Sequence, residues 1–356
     1  MEKIAIIFGG KSVEHDISII TGLQMMKIAK KNYDILPIYI DSEGVWWTAK
    51  NMDDVRIYHN FKKDAKRKKS VLVEFGKRAF IINKKRQEVV MALVCLHGLN
   101  GEDGFISAVL EGAGICYSCS NILSSVITMD KEITKIVLSH HGIKNTNFVS
   151  IKRGEKLNVQ GLKFPLIVKP ANLGSSIGIS VAKDEEELKK DMEIALNFDN
   201  KVLIEEYLES AEEFNCACFK YNQKYFVSNV IQVEKGDIFS FDEKYLNSNE
   251  SKNLEIDFDL RERIKELTAK VYEKLECFGV VRVDFLYKDD QLYVNEVNNI
   301  PGALACYIFS EKFDEILDLI IDESIKRERQ KQKIKYSYDS SALKVFEEMG
   351  NQILKK

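Results

Sequence analysis

Apolar residues along this chain fall into two rhythms: short unbroken runs, and stripes spaced three or four apart. The run "KIAIIFGG" closes on a glycine pair and predicts a buried strand, after which "VEHDISIITGLQMMKIAKK" repeats at helical spacing. "YDILPIYI", ended by "DSEG", predicts a second strand and "VVMALVCLHG" a third, while "GEDGFISAVLEGAGI" reads as a loop entering a helix. Strands alternating with helices imply an α/β unit, a parallel sheet with covering helices, over residues 1–121.

A second unit spans residues 122–205: the helical "LSSVITMDKEITKIVLSHHGI", the strands "NFVSI", "FPLIVKP", "ISVAK" and "KVLIEEYL", and the helix "DEEELKKDMEIALNF". A third, 206–330, begins with "EFNCACFKYNQKYFVSNVIQV" and a polar loop, "EKGDIFSFDEKYLNSNESKNLEI". A helix from "FDLRER" then leads to the hairpin "VVRVDFLYKDDQLYVNEVNN", and an amphipathic helix, "EKFDEILDLIIDESIKRERQKQ", closes the unit. Residues 331–356 form a tail, expected to pack as a C-terminal extension, and no internal repeat is present.

Composition narrows the class. A formal charge of −3 over 356 residues makes no bulk electrostatic case for nucleic acid or membranes. No run reaches the roughly 18 apolar residues of a membrane span, and "MEKIAIIFGG" is too short in its apolar part for a signal peptide. Seven cysteines scattered through apolar segments suit reduced thiols, so a cytoplasmic protein is expected. The "CYSC" spacing, Cys116 to Cys119, has no second Cys/His pair and reads as structural thiols. The basic runs Lys62–Lys69 and Lys326–Lys335 read as solvated faces.

The chemistry starts at the hairpin. Its "KDDQ" turn brings Glu296 back beside Asp284, and side-chain alternation puts Asn298 on the same face as Glu296. Facing carboxylates repel unless neutralised, and two acids with an amide oxygen are hard ligands suited to Mg²⁺ or Mn²⁺. A solvated hairpin edge is the plain alternative. Upstream, "FPLIVKPANLGSSIGIS" buries Lys169 in an apolar strand, where it needs an anionic partner. The following loop, with Ser175 and Ser176, offers backbone N–H and hydroxyl donors to phosphates, though a Gly/Ser turn needs no such role. It carries neither the P-loop nor the dinucleotide-binding spacing. Glu205 and Tyr207 end a strand where an adenine can meet backbone groups and an aromatic face, with Glu213 placed to accept from ribose hydroxyls.

In this order, "FGGKSVEHDIS", "LHGLNGEDG", "MDKEITK", "VKPANLGSSIGIS", "VLIEEYL", "RVDF" and "NEVNNIPG" resemble the D-alanine–D-alanine ligases of the ATP-grasp superfamily, over about residues 1–325. The resemblance implies a three-domain ATP-grasp fold whose N-terminal domain has a parallel sheet. It implies ATP as substrate, two Mg²⁺ or Mn²⁺ ions, small amino-acid substrates and a possible homodimer. It also implies ligation of two D-alanines through an acyl phosphate, for peptidoglycan precursors. By that resemblance Glu14 holds the first amino acid's ammonium, Ser175 links Glu14 to the loop tyrosine, Tyr245, and His97 lies near the same substrate. Lys131 and Lys169 serve the α- and β-phosphates, with Ser176, Glu205, Tyr207, Leu208, Glu213 and Lys244 completing the nucleotide side. Asp284, Glu296 and Asn298 are the implied metal ligands; Arg282 and the Gly302 N–H are the implied oxyanion donors. A tyrosine rather than a histidine at 245 favours peptide over ester formation.

Two departures bear on substrate choice. After Pro301-Gly302 the family carries a polar segment with a serine for the second amino acid's carboxylate, where this chain has "ALACYIF" and Tyr307. The lid sequence "IFSFDE" also departs from the family's tyrosine-rich approach. Two alternatives therefore stand beside the first reading: a ligase of the same subfamily with another acceptor, and a non-catalytic nucleotide-binding homologue.

Overall fold

The computed structural model describes residues 1–159, 161–233, 256–309, 312–335 and 337–353. Among these residues the longer strands form three sheets. In the first, β1 (Lys3–Gly9) lies between β2 (Asp34–Ile40) and β7 (Met91–Val94), parallel to both. Ile4 to Phe8 are fully buried, as a parallel strand covered on both faces requires. Helix α1 (His15–Ala29) packs so close to β1 that a Cβ on Gly22 would stand 2.5 Å from the Phe8 ring.

The parallel sheet expected from the sequence is limited to these three strands. β3 (Trp46–Thr48), β4 (Lys69–Glu74), β5 (Ala79–Ile82) and β6 (Lys85–Glu88) extend it antiparallel beyond β2. They are short and carry many exposed charges, so their apolar pattern is faint. The Lys62–Lys69 run, on the small helix α2 (Phe61–Asp64) and the approach to β4, is solvated as expected apart from buried Ala65.

Helices α3 (Phe105–Ala113), α4 (Ile122–Met129) and α5 (Lys131–His140) follow, the last two capped by the Asn121 and Asp130 side chains. The second sheet has the order β10-β9-β11-β8, from β8 (Phe148–Lys152), β9 (Leu166–Pro170), β10 (Ser180–Ala182) and β11 (Lys201–Glu206). Helix α6 (Glu185–Ala195) seals it through Leu188 and Ala195, which pack with Leu166, Val168, Val202 and Ile204. The third sheet, β13-β12-β14-β15, comprises β12 (Glu212–Tyr221), β13 (Lys224–Val233), β14 (Val281–Lys288) and β15 (Gln291–Asn298). It packs on α7 (Phe258–Lys274), and Leu138 of α5 joins the same core. β14 and β15 meet through Asp289-Asp290, both at positive φ (49° and 57°), whose twist matches that of a hairpin.

Helix α8 (Phe313–Lys331) ties the third sheet to the first. Ile316 and Ile320 pack against Ala217 and Phe219, while Leu317 and Ile321 enter the core of the first sheet. The basic run Lys326–Lys335 is therefore not wholly a solvated face. Arg327 lies 3.5 Å over the Phe278 ring and donates to the Tyr117 and Cys119 carbonyls at 2.7 and 3.2 Å. The tail does not pack as expected: Leu343 and Phe346 of α9 (Ala342–Ile353) stay 83 and 61% exposed. No helix among the described residues is long and apolar enough to cross a membrane. All seven cysteines are free thiols, with Cys116 and Cys119 buried.

Candidate active site

Strand register places the first residues. Asp284 of β14 pairs directly with Glu296 of β15, and Arg282 with Asn298, so all four share one face. Directly after Asp284 the register shifts and Phe285 pairs with Val294, leaving Asn295 as the extra residue of a bulge. Its Oδ1 accepts from Lys169 Nζ across the gap between the second and third sheets, at 3.4 Å. The Arg282 fork grips Asp284 at 2.6 and 2.7 Å, and the Asn298 amide donates to the same carboxylate at 3.1 Å. Glu296 faces Lys131 of α5 at 3.6 Å, and that ammonium also donates to the Leu173 carbonyl at 2.7 Å. Lys131, Leu173, Gly174, Glu296, Asn298 and Glu102 line one cavity.

Behind it lies a buried charge cluster. Lys169 and Lys135 both contact the Glu205 carboxylate, at 2.6 and 3.0 Å, and all three side chains are at most 5% exposed. Thr146 donates to Glu205 and accepts from Lys135 at 2.9 Å. Burial would push the Glu205 carboxyl up, but the two ammoniums outweigh it and hold it near about 2. Burial pulls Lys135 down to about 8, and neighbouring Lys169 and Lys131 add to that. Two lysines share one carboxylate here, so the surplus positive charge suits an incoming polyphosphate. Glu205, expected beside an adenine, thus commits its carboxylate to lysines. Tyr207 and Leu208 follow it at the rim between β11 and β12, and exposed Glu213 stands on β12.

A third group comes from the first sheet. Glu14, at the start of α1, is buried, and the Ser175 hydroxyl donates to its Oε1. Ser175 and Ser176 sit at left-handed φ of 55° and 56°, which turns the loop toward Glu14. Gly98 and Gly174 make room for the carboxylate: a Cβ on either would stand 2.6 or 3.2 Å from its oxygens. Glu102 accepts from the Gly98 N–H at 2.8 Å and the Ile300 N–H at 3.4 Å. Burial first, then Glu14, push its carboxyl up to about 8. His97 is buried and contacts Thr21 Oγ1 through Nε2 at 2.9 Å; burial pulls it down to about 4, so the ring is neutral.

Beyond Pro301-Gly302 the chain turns left-handed at Ala303, Leu304 and Ala305, with φ of 52°, 47° and 55°. L-residues in that conformation cost about 1–2 kcal/mol each, so their surroundings must impose it. Tyr307 is 54% exposed, and its hydroxyl accepts from Arg282 Nη1 at 3.1 Å. Lys244 and Tyr245 lie outside the described residues. Sequence reasoning missed Thr21, Glu102, Lys135 and Thr146. The four-residue spacing of Lys131 and Lys135 in "MDKEITK" was the available signal for one of them, since it places both on one helix face.

Among the described residues no three His, Cys, Asp or Glu side chains group as a metal site. The donor set at the hairpin is two carboxylates and an amide, and the directly opposed acids supply the negative charge a divalent ion needs. That set fits a hard cation such as Mg²⁺ or Mn²⁺.

Comparison with known proteins agrees with this geometry. Residues 3–120 match the family model for the D-ala D-ala ligase N-terminus, and residues 137–316 that for the C-terminus. The D-alanine–D-alanine ligase of Thermosipho melanesiensis is 39% identical, with 97% of this chain and 99% of the relative aligned. The crystal structure of the VanG D-Ala:D-Ser ligase from Enterococcus faecalis superposes with a TM-score of 0.78 at 28% identity, covering 91% of this chain and 99% of that one. That of the Bacillus anthracis D-alanine–D-alanine ligase complexed with ATP gives 0.67 at 29% identity, covering 93 and 100%. With family models spanning most of its length and a relative this similar end to end, the chain belongs to the D-alanine–D-alanine ligase family.

Proposed function

We propose that the protein joins two D-alanines to D-alanyl-D-alanine at the expense of ATP, through an acyl phosphate, to supply peptidoglycan precursors. The observation that carries this is a single cavity shared by two half-sites. Lys131 and Glu296 line it, and so does Gly174, which abuts the Glu14 carboxylate. A nucleotide phosphate near the lysines therefore lies beside an amino acid held at Glu14.

The residues divide the work. Lys131 and Lys169 bind phosphate oxygens, while Ser176, Glu205, Tyr207, Leu208 and Glu213 form the nucleotide side. Glu14, oriented by Ser175, holds the ammonium of the first D-alanine, and His97 bounds that subsite. The first carboxylate attacks the γ-phosphate and ADP leaves; the second amine then attacks the acyl carbon, and the tetrahedral intermediate expels phosphate as the nitrogen gives up its proton. Arg282, fixed by Asp284 and Tyr307, and the Gly302 N–H meet the oxyanion of that intermediate. Asp284, Glu296 and Asn298 would hold two Mg²⁺ or Mn²⁺ ions, which when bound neutralise charge on the ATP phosphates. The test is phosphate release from ATP and Mg²⁺ across a panel of D- and L-amino acids, with products weighed by mass spectrometry. Dipeptide from D-alanine alone is expected; turnover only with a mixed pair defeats this reading.

One observation favours a second acceptor. Tyr307 stands against Arg282 where the family carries a serine, which moves the phenol into the acceptor side. Tyr307→Ser is expected to change the acceptor KM about tenfold or more, the scale of a lost pocket contact, with the ATP KM unchanged. A change confined to the ATP constant contradicts that placement.

The same reading places the protein in the cytoplasm, where ATP is available and thiols stay reduced. Exposed Phe105, Ile122, Leu123 and Val126, which abut where α3 meets α4, supply a surface for a homodimer.

A further inference from the structure

We propose that Thr21 is a positioning residue for ligation: backed by His97, it holds the peptide group that follows Gly302 and so aims the Gly302 N–H at the reacting carbonyl. The inference rests on the function proposed above and adds to it the part that holds the oxyanion donor in place.

The turn holds itself only in part: the Leu304 N–H donates to the Pro301 carbonyl at 2.8 Å. Ala303, Leu304 and Ala305 are all left-handed, and none is the glycine, asparagine or aspartate that tolerates this conformation. Packing imposes part of it, because Leu304 is buried with the first-sheet core and Ala305 with Ala217 and Phe219. Side-chain burial fixes where 304 and 305 sit, but it leaves the peptide groups flanking Pro301-Gly302 to be oriented by hydrogen bonds.

Beside that local bond, the next peptide group is held from the other end of the chain. The Ala303 N–H donates to Thr21 Oγ1 at 3.1 Å, 282 residues away in sequence. The same hydroxyl contacts His97 Nε2 at 2.9 Å, so the threonine side chain is itself held in one rotamer. Thr21 thus fixes the peptide group that follows Gly302. Glu102 holds the Ile300 N–H from another side, at 3.4 Å. Thr21 and His97 are only 1 and 4% exposed, so bulk water does not compete for these bonds.

The test compares Thr21→Val, which keeps the shape and loses the hydroxyl, with Thr21→Ser, which keeps the hydroxyl. The wild-type protein must first form D-alanyl-D-alanine; if it does not, the functional reading fails and not the clamp. For Thr21→Val, kcat is expected to fall about 10²-fold, the scale of one lost oxyanion donor, with the ATP KM within about twofold of wild type. Phosphate released per dipeptide should rise well above one, because an acyl phosphate that waits for the amine is hydrolysed by water to carboxylate and phosphate. Thr21→Ser should restore kcat to within about threefold and return the ratio to one. Should the valine protein not fold, Thr21→Ala, which removes the hydroxyl without placing a second methyl against His97, carries the same expectation. Wild-type kcat with one phosphate per dipeptide in the folded variant overturns the proposal. So does equal loss in the valine and serine proteins, or failure of both valine and alanine proteins to fold beside an active serine protein, which marks the hydroxyl as purely structural.

Discussion

Glu296→Gln is expected to lower kcat by about 10³-fold without unfolding the protein. The substitution keeps the shape and removes one of two carboxylates that face each other across β14 and β15. Neutralising phosphate charge at this spot is worth several kcal/mol in the transition state; about 4 kcal/mol corresponds to roughly 10³ in rate. The fold should barely respond. The Lys131–Glu296 contact is long, at 3.6 Å, and Lys131, though only 9% exposed, keeps its bond to the Leu173 carbonyl, while a glutamine still offers the ammonium an oxygen, so the loss costs about 1 kcal/mol. Removing a like charge opposite Asp284 offsets part of that cost. Two measurements check this: steady-state turnover, and melting temperature with and without Mg²⁺-ATP. The apo melting temperature should stay near wild type, and the Mg²⁺-dependent upward shift should vanish. Wild-type turnover together with an unchanged shift removes Glu296 from the metal site.

The hairpin was legible in the sequence because strand chemistry is local. "RVDFLY" and "LYVNEVNN" alternate and a short turn joins them, so Asp284 and Glu296 were legible as neighbours; the two-residue turn alone sets Asp284 opposite Asn295, and the bulge there, which the sequence did not show, brings Glu296 directly across. The buried cluster was half legible. Lys169 stands in an apolar strand and demands an anion, but nothing local says that the anion is Glu205, or that Lys135 shares it. A lysine in a helix reads as solvated until the helix is placed against a sheet. "GALA" misleads more strongly: its residues favour ordinary helical turns, and the burial of Leu304 and Ala305 overrides that preference. Arg327 lies in a run that reads as a solvated face, and only packing of α8 against the first sheet shows the guanidinium between two aromatic rings. Strands β3 to β6 were lost for the opposite reason, since short strands with exposed lysines carry too weak an alternation to register.

The second large effect concerns Glu205. Glu205→Leu is expected to destabilise the fold by about 3–5 kcal/mol, because it leaves Lys135 and Lys169 buried without their carboxylate. Urea unfolding at neutral pH measures this, and Glu205→Gln, which keeps an acceptor for Thr146 or a lysine, should lose less. The pH dependence separates the charge from the packing. In the wild type the folded carboxyl lies at about 2, well below its ordinary value, so its contribution is fully present above about pH 4.5 and fades as pH falls toward 2. The variants lack that term, so the gap between them and wild type should narrow across this acid window. It should narrow again at higher pH. Burial already holds Lys135 near about 8 in the wild type, and without Glu205 the lysine loses the partner that favours its charge. A lysine with a depressed folded value gains stability as pH rises between that value and its ordinary one, because the unfolded chain then binds the extra proton. Wild type gains in the same way above about 8, so Glu205→Leu should recover part of its deficit below that, between the further lowered value of Lys135 in the variant and about pH 8. A deficit that stays constant from pH 3 to 10 would mean that the leucine harms packing alone, and that the three side chains do not act as a charge cluster.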